Sequence, residues 1–243
     1  MLLSIVMPAY NEGEVIGETI NSIQGKVKTP FELLIVVDFD EDSTVGAVKN
    51  LKNNYKNIKL VKNKFGKGAL NAIKTGLMTA KGEAICVMMA DLTDDPDTLN
   101  LMVKKYKQGF DIVSGSRYMP GGHQVGGPLL KQFMSRCAGL SLHYITQMPT
   151  FDPTNSFRLY SKRFLKNVKI ESNGGFELGI ELTVKAYYSG YKVTEVPTTW
   201  TFLAKVSRFN MKKWLPKYLK WYFLAIKLKF FGAGLSRSSK IIS

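Results

Sequence analysis

The chain has 243 residues, of which 45% are hydrophobic, so it can bury one substantial core or two small ones and is not a disordered protein. Its formal net charge is +15, and ten of the basic residues lie within residues 200–243, where there is no Asp or Glu. Such a concentration indicates an anionic partner, either phospholipid or nucleic acid. The two cysteines, Cys86 and Cys137, are too few for a disulfide framework and lack metal-ligand spacing, which favours a reducing, cytoplasmic setting.

No segment is predicted to direct the chain across a membrane or to span one. Residues 1–7 are closed by Pro8 without the cationic start or the cleavage site of a signal peptide. The sequence also lacks an uninterrupted apolar run of about eighteen residues, which a spanning helix needs. We therefore expect a cytoplasmic protein that associates with a membrane only peripherally.

The first half of the chain alternates apolar strands with amphipathic helices. Strands are predicted at residues 2–7, 31–37, 58–61, 83–88 and 111–114. Helices are predicted from Val15 to Gly25 and at residues 45–55, 69–80 and 96–108. This alternation predicts an α/β fold with a Rossmann-like, mostly parallel, doubly wound sheet flanked by helices.

The second half is less regular. A glycine-rich loop that we expect to be mobile follows Arg117 and extends to Pro128. Helices are predicted at residues 129–147 and 175–188, and a strand at 191–196. We divide the chain at residue 210, into a domain of residues 1–210 and a basic tail of residues 211–243.

The tail is predicted to be an amphipathic basic-aromatic helix. At roughly 100° per residue its lysines fall within about 80° of one another; they are Lys213, Lys217, Lys220 and Lys227. Its aromatic residues lie to one side of that stripe; they are Trp214, Tyr218, Trp221 and Tyr222. Such a helix suits an anionic membrane surface, with lysines among the headgroups and aromatics below. The alternative is a helix that packs its aromatics on the protein's own core. No nucleic-acid partner is expected, because no nucleic-acid motif is present.

Carboxylates follow several of the predicted strands at the edge where open α/β sheets bind ligands. Asp91 follows one buried strand, Asp38 and Asp40 follow another, and Glu12 lies in the loop after the first strand. Neither a G-x-G-x-x-G turn nor a P-loop is present. Carboxylates in place of glycines favour a nucleotide-sugar, held through its base and ribose by acceptors and through its diphosphate by a divalent cation. Asp94 and Asp95 could instead cap the helix that begins near Asp97.

Five motifs in register resemble the family 2 glycosyltransferases with the GT-A fold, and more narrowly the dolichol-phosphate mannose synthase group. They are residues 8–12 (PAYNE), 38 onward, 89–91 (MAD), 115–118 (GSRY) and 152–158 (DPTNSFR). The resemblance implies an inverting transfer of a sugar, with mannose favoured, from a nucleotide-sugar to a polyprenyl or dolichyl phosphate at the cytoplasmic membrane face.

The resemblance also implies roles for individual residues. Donor-binding residues would be Pro8, Tyr10, Glu12, Asp38, Asp40, Ala90 and Asp91. Asp91 would hold the divalent metal, Mg2+ or Mn2+, and Arg117 would contact phosphate, so that these two form the catalytic pair. The acceptor phosphate would be bound by Lys131, Ser135 and Arg208.

Two departures from the family pattern concern the metal and the donor. Met89 stands where the acidic-x-acidic motif has its first carboxylate, and Val37 stands where an aspartate pair usually begins. The metal could then be completed by Thr93, Asp94, Asp95 or donor phosphates. Met89 also leaves open a homologue that binds nucleotide-sugar without turnover.

The acceptor decides whether a general base is required. A lipid phosphate is already ionised near neutral pH and needs none, whereas a sugar hydroxyl would need one. Asp152 and Glu177 are the candidates for that base, and both could instead be structural hydrogen-bond acceptors. A transferase that uses a UDP-sugar and a lipid or saccharide hydroxyl is the alternative enzyme.

Overall fold

A computed structural model of the chain describes residues 1–203 and 211–231. The strands of these residues are β1 (Leu3–Pro8), β2 (Phe31–Val37), β3 (Ile58–Lys62), β4 (Ala84–Val87), β5 (Ile112–Ser116), β6 (His123–Val125), β7 (Arg158–Ser161), β8 (Val193–Pro197) and β9 (Thr199–Thr201). The helices are α1 (Ile16–Lys26), α2 (Ser43–Leu51), α3 (Ala69–Thr79), α4 (Asp97–Lys107), α5 (Leu129–Thr146), α6 (Lys162–Asn167), α7 (Leu178–Tyr188) and α8 (Met211–Phe231).

Seven of the strands form one sheet in the order β3-β2-β1-β4-β7-β5-β8. Six of them run in the same direction, and β7 lies antiparallel between β4 and β5. The predicted α/β fold with a mostly parallel sheet is therefore confirmed. The sequence did not predict β7, because a four-residue strand carries too short a pattern to be distinguished from a loop.

Helices cover both faces of the sheet, as a doubly wound fold requires. On one face α1, α2 and α4 bury residues such as Ile20, Val48 and Met102 against the strands. On the other face α3, α6 and α7 contribute Ile73, Phe164 and Leu182. Strand β1 has side chains in both clusters, since neighbouring residues of a strand point to opposite faces of the sheet. This two-sided burial explains why the central strands have continuous apolar sequences.

The segment predicted to be a mobile loop after Arg117 contains a strand. Strand β6 within it pairs in parallel with β9, from His123 opposite Thr199 to Val125 opposite Thr201. An isolated bridge also joins Trp200 to Asp94, in the turn that follows β4. The glycine-rich segment is thus connected through β9 to the turn that follows β4.

The C-terminal helix α8 packs against α5 and α7 and shares a third hydrophobic cluster with them. Trp221 is 2% exposed in this cluster, and the Tyr222 hydroxyl lies 2.9 Å from Ser141 Oγ of α5. The prediction that the aromatics of this helix together face a bilayer is therefore wrong for Trp221, which packs on the protein's own core as the alternative expected. The division of the chain at residue 210 remains a prediction.

Candidate active site

The loops that follow β1, β2, β4 and β5 meet at one edge of the sheet, because these strands run parallel in neighbouring positions. Two residues other than glycine adopt the left-handed backbone conformation in these loops, namely Asn11 (φ 55°) and Leu92 (φ 60°). Such conformations are strained for side chains with a Cβ and concentrate at functional sites. The edge has the features of a ligand-binding site.

The loop after β1 contains the predicted donor-binding residues Pro8, Tyr10 and Glu12. Pro8 is buried at the end of β1, whereas Tyr10 is exposed and packs edge-on against Phe39, with ring centroids 5.8 Å apart. The backbone N–H of Glu12 donates to Thr44 Oγ1 at 3.0 Å. The loop therefore presents an aromatic side chain toward the region beyond β2.

Asp42 organises this first loop, a role that sequence reasoning missed. Both of its carboxylate oxygens lie 3.0 Å from the backbone N–H of Asn11, and Oδ1 also accepts from the backbone N–H of Thr44. Asp42 thus caps α2 and fixes the loop after β1 with the same carboxylate. The available signal was an Asp-Ser-Thr sequence at the start of a predicted helix.

The two aspartates after β2 have different environments. Asp38 accepts from Asn63 Nδ2 at 2.8 Å and from the backbone N–H of Gly68 at 2.9 Å. Gly68 has φ 116° and precedes α3, a conformation that few residues other than glycine adopt. Asp40 is exposed and pairs with Lys62. Asp38 therefore holds the turn before α3 at this edge, and Asp40 lies at the surface.

The turn after β4 contains Ala90 and Asp91. The Ala90 carbonyl accepts from Thr19 Oγ1 of α1 at 2.9 Å, which fixes the turn to the helix. Asp91 is half-buried, and its Oδ1 accepts from Thr93 Oγ1 at 2.6 Å and from the Thr93 backbone N–H at 3.3 Å. Thr93 thus orients the Asp91 carboxylate through one oxygen, and no donor in the described part of the chain holds the other.

Asp94 and Asp95, which follow in the same turn, have different environments. Asp94 is buried, and its Oδ2 accepts from the backbone N–H of Met89 at 3.1 Å. Burial raises the pKa of Asp94 to about 7. Asp95 Oδ1 accepts from the Asp97 backbone N–H and pairs with Lys26 at 3.1 Å. Of the two residues for which capping was the alternative, only Asp95 therefore bonds to the start of α4, and Asp94 does not.

Arg117, at the end of β5, is held by a buried carboxylate. Its Nε donates to Asp152 Oδ2 at 2.7 Å and its Nη2 donates to Asp152 Oδ1 at 2.9 Å. Burial raises the pKa of Asp152, but the Arg117 guanidinium outweighs it and holds that pKa below its usual value. The same Nη2 also donates to Ser135 Oγ at 3.3 Å and to Thr154 Oγ1 at 3.2 Å. Arg117 is thereby fixed in place between three elements.

The predicted acceptor-binding residues are placed in part. Ser135 is brought to Arg117, and Lys131 lies one turn earlier on the same side of α5. Arg208 lies outside the described residues. The structure thus brings Ser135 to Arg117 and places Lys131 one helical turn away, and the binding of an acceptor phosphate by these residues remains a prediction.

Both candidates for a general base are structural acceptors. Asp152 is fully buried and accepts from the Arg117 side chain, from the Thr154 hydroxyl and from the backbone of Arg117 and Asn155. Glu177 is also buried and accepts from the backbone N–H groups of Gly174 and Gly175, each at 2.6 Å. Neither carboxylate is placed as a free proton acceptor.

A cavity of about 370 Å³ lies behind the Asp91 turn, between α1 and β9. Thr19, Lys26, Asp94 and Thr199 are among its lining residues, whereas Tyr10, Asp38 and Asp91 are not. The cavity therefore borders the Asp91 turn through Thr93 and Asp94, but none of the predicted donor-binding residues lines it.

Residues 4–169, more than half of the chain, match the sequence model of glycosyl transferase family 2. The chain belongs to glycosyl transferase family 2. The matched residues contain the loops after β1, β2, β4 and β5 together with the Arg117–Asp152 pair. This assigns the chain to the glycosyltransferases and confirms the family that the five motifs indicated.

Two relatives of this family 2 glycosyltransferase are named for lipid-linked mannose. A dolichol-phosphate mannosyltransferase of Pyrococcus furiosus is 28% identical over an alignment of 232 positions, and the match covers 93% of this chain and 64% of that protein. A polyprenol monophosphomannose synthase of Mycolicibacterium smegmatis is 26% identical over an alignment of 232 positions, and the match covers 89% of this chain and 85% of that protein. The chain thus spans less than two thirds of the Pyrococcus relative.

Solved structures share the fold of this glycosyltransferase. Glucosyl-3-phosphoglycerate synthase of Mycobacterium tuberculosis, in complex with Mn2+, UDP and phosphoglyceric acid, superposes with a TM-score of 0.66 at 16% identity, covering 94% of this chain and 78% of that one. S. aureus TarS 1–349 in complex with UDP gives a TM-score of 0.66 at 18% identity, covering 95% and 67%. At this identity the likeness establishes the fold alone.

The carboxylates at the Asp91 turn fit part of a divalent-cation site. Within residues 1–203 and 211–231, no three His, Cys, Asp or Glu side chains are grouped as a complete metal site. Asp91 and Asp94 nevertheless each have a carboxylate oxygen that no described donor contacts. Mg2+ is often held by one or two carboxylates, with phosphates and water completing its shell. The glycosyltransferase can therefore supply the protein part of such a site.

Proposed function

We propose that this glycosyltransferase moves a sugar, with mannose favoured, from a nucleoside-diphosphate donor to a polyprenyl phosphate at a membrane surface. The names of the two relatives support the sugar and the acceptor. The choice of acceptor rests on the hydrogen bonds that Asp152 and Glu177 accept. Because both carboxylates are occupied by structural hydrogen bonds, an acceptor whose oxygen is already ionised suits this site better than a sugar hydroxyl.

In this proposal the donor lies along the carboxyl edge of the sheet. Tyr10 and Phe39 offer aromatic surfaces to the nucleobase, and Asp38 holds the turn that borders it. Asp91 would hold the divalent cation, Mg2+ or Mn2+. When bound, the cation supplies positive charge that stabilises the departing nucleoside diphosphate. Glu12, Ala90 and Pro8 shape the loops around this region.

The acceptor phosphate would lie beside Arg117. The guanidinium is immobilised by Asp152, so it needs no reorganisation to face a phosphate oxygen. Ser135 and Lys131 add a hydroxyl and an ammonium from α5, and Arg208 is a further candidate. These groups orient an ionised oxygen toward the sugar, and orientation of this kind can supply much of the rate enhancement.

Helices α5 and α8 pack against each other, and both carry exposed apolar residues. From these residues a peripheral contact with a membrane is proposed. At the start of α5, Leu129, Leu130 and Phe133 are 65–80% exposed. On α8, Phe223 is 60% exposed, on a helix that carries lysines and no acidic residue. Apolar side chains among lysines suit an anionic bilayer surface. Among the helices described, none combines the length and the apolar character needed to cross a membrane.

A panel of radiolabelled donors tests this function. The complete chain is incubated with polyprenyl phosphate and with GDP-mannose, UDP-glucose or UDP-N-acetylglucosamine, each with and without Mn2+ or Mg2+. We expect label in the lipid fraction from GDP-mannose, with inhibition by GDP and much less by UDP. Transfer from UDP-sugars alone would support the alternative of a UDP-dependent transferase, to which both solved structures with UDP point. Binding without turnover would support the inactive homologue that Met89 suggests.

A further inference from the structure

The turn after β4 contains a carboxyl group with an unsatisfied oxygen. Asp94 is 4% exposed, and its Oδ2 accepts from the Met89 backbone N–H. Its Oδ1 is buried and has no hydrogen-bond partner in the described part of the chain. A buried carboxyl oxygen without a donor is costly, and native proteins rarely leave one without an ion, a water molecule or a function to account for it.

Asp94 lies near Asp91 and Arg117, the two residues to which the proposed function gives catalytic roles. Asp91 lies three residues before Asp94 in the same turn, and Thr93 between them donates to the Asp91 carboxylate. Burial raises the pKa of Asp94 and the negative charge of Asp91 raises it further, whereas the positive charge of Arg117 lowers it. Arg117 is itself paired with Asp152, so no cation in the described residues forms an ion pair with Asp94. Asp91 and Asp94 are thus two neighbouring carboxylates without a neutralising partner of their own.

The other side chains that could complete a metal site at Asp91 are already engaged. The Thr93 hydroxyl donates to Asp91 Oδ1, so it orients the carboxylate. Asp95 Oδ1 is taken by the Lys26 ammonium and by the Asp97 N–H. The Met89 thioether is a soft ligand that suits neither Mg2+ nor Mn2+. Asp94 alone among these residues is both buried and left with an oxygen that no donor contacts.

We propose that Asp94 supplies the second carboxylate of the divalent-cation site, in place of the side chain that Met89 lacks. The carboxylate would come from three residues after Asp91 in the sequence, and the Met89 N–H would hold its other oxygen. A cation between the two carboxylates would neutralise the charge that burial makes unfavourable. The inference rests on the proposed use of a metal-linked donor, and it concerns only the ligands of the metal.

Mn2+ binding by the complete chain tests this assignment without any transfer reaction. Free Mn2+ is measured by EPR in a titration with GDP or UDP present, for wild type and Asp94→Asn. We expect Asp94→Asn to weaken Mn2+ binding by about tenfold or more, as loss of groups that support a metal site commonly does. The matched control is Asp95→Asn, which removes the same charge one residue away and should change the affinity less than about twofold.

Two further variants keep the test decisive. Met89→Asp in the Asp94→Asn background should recover most of the lost affinity, because it restores a carboxylate at the usual position. Asp94→Ser gives a second measurement if the amide is not accommodated, and thermal unfolding checks that each variant is folded. Equal Mn2+ affinity in wild type and in folded Asp94 variants would overturn the assignment, as would an equal loss in Asp95→Asn or no Mn2+ binding by wild type.

The outcome is separable from that of the proposed function. If the donor panel shows a sugar other than mannose while Asp94→Asn still loses Mn2+, the ligand assignment stands and the proposed donor is wrong. If GDP-mannose is used and Asp94→Asn binds Mn2+ as wild type does, the function stands and the ligand assignment is wrong.

Discussion

Arg117 and Asp152 form a buried, two-pronged ion pair that joins the end of β5 to the segment before β7. Guanidinium Nε and Nη2 donate to the two carboxylate oxygens at 2.7 and 2.9 Å, and the Arg117 backbone N–H donates to the same carboxylate at 3.1 Å. Asp152 is 0% exposed. Because the pair fixes both the backbone and the side chain of Arg117, it determines where a positive charge lies beside the Asp91 turn.

Asp152→Asn is expected to destabilise the protein strongly. The amide leaves the Arg117 guanidinium buried without a counter-charge, and breaking such pairs costs about 3–5 kcal/mol. Urea unfolding followed by circular dichroism measures the loss in free energy of unfolding. Asp40→Asn serves as the control, because its ion pair with Lys62 is exposed, and its unfolding midpoint should match that of wild type. A wild-type midpoint for Asp152→Asn would contradict the structural role of the pair.

Asp91→Asn is expected to abolish transfer while leaving the fold intact. The side chain is half-buried and accepts hydrogen bonds only from Thr93 among the described residues, so an amide oxygen can keep those contacts. Loss of the charge should lower kcat by about 100-fold or more, as removal of one electrostatic group at a transition state does. Asp97→Asn, an exposed carboxylate on α4, is the control. Near wild-type turnover of Asp91→Asn under saturating donor would refute the metal-site assignment.

Asp111 is expected to make stability depend on pH in the acid range. Its carboxylate accepts from the Ser161 hydroxyl, the Arg163 guanidinium and the Lys192 N–H, and the contacts with Arg163 and Ser161 outweigh burial and lower its pKa. A lowered pKa in the fold means that this stabilisation is complete above the unfolded value of about 4 and is lost as the pH falls through the folded value.

Asp111→Asn should therefore be less stable than wild type by about 1–3 kcal/mol at neutral pH. The difference between the two proteins should shrink as the pH falls below about 4. Urea midpoints between pH 7 and pH 3 measure it. A constant difference across that range would show that the charge of Asp111 does not contribute.

Trp221→Ala is expected to loosen α8 from the body of the protein. Trp221 is 2% exposed and packs with Leu142, Ile180 and Val184, and the Lys185 ammonium lies 5.3 Å from its ring centroid. Removing such a side chain costs about 3–5 kcal/mol. The control is Phe230→Ala on the same helix, which is 62% exposed and should leave the thermal midpoint unchanged. An equal midpoint for the two variants would show that α8 is not docked by Trp221.

Phe223→Ser is expected to weaken binding to anionic liposomes without unfolding the protein. Phe223 is 60% exposed on α8, and burying a side chain of this size contributes about 1.5–3 kcal/mol, or about tenfold or more in partitioning. Met78→Ser on α3 is the matched control, since Met78 is 75% exposed and lies on neither α5 nor α8. Cosedimentation measures the binding. Truncation after residue 210 is a weaker test, because it would also remove Trp221 from the core.

The sequence alone determined the α/β fold, the strands β1 to β5 to within two residues, and the edge at which the carboxylates gather. It could do so because apolar runs of four to seven residues followed by helical periodicity are local signals, and parallel strands place their carboxyl ends on one side. The loops that carry Tyr10, Asp38 and Asp91 follow from that order, so their common location was predictable.

Only the tertiary structure decided which charges pair and which side chains are buried. Asp152 lies 35 residues after Arg117, and β7, which places that segment in the middle of the sheet, has too short a pattern to predict. Asp94 resembled a helix cap in sequence, yet it is buried and accepts from the Met89 backbone N–H. Trp221 resembled a membrane aromatic, yet it packs on α5 and α7. These outcomes depend on contacts between residues that are distant in the chain or on burial, and local periodicity contains neither.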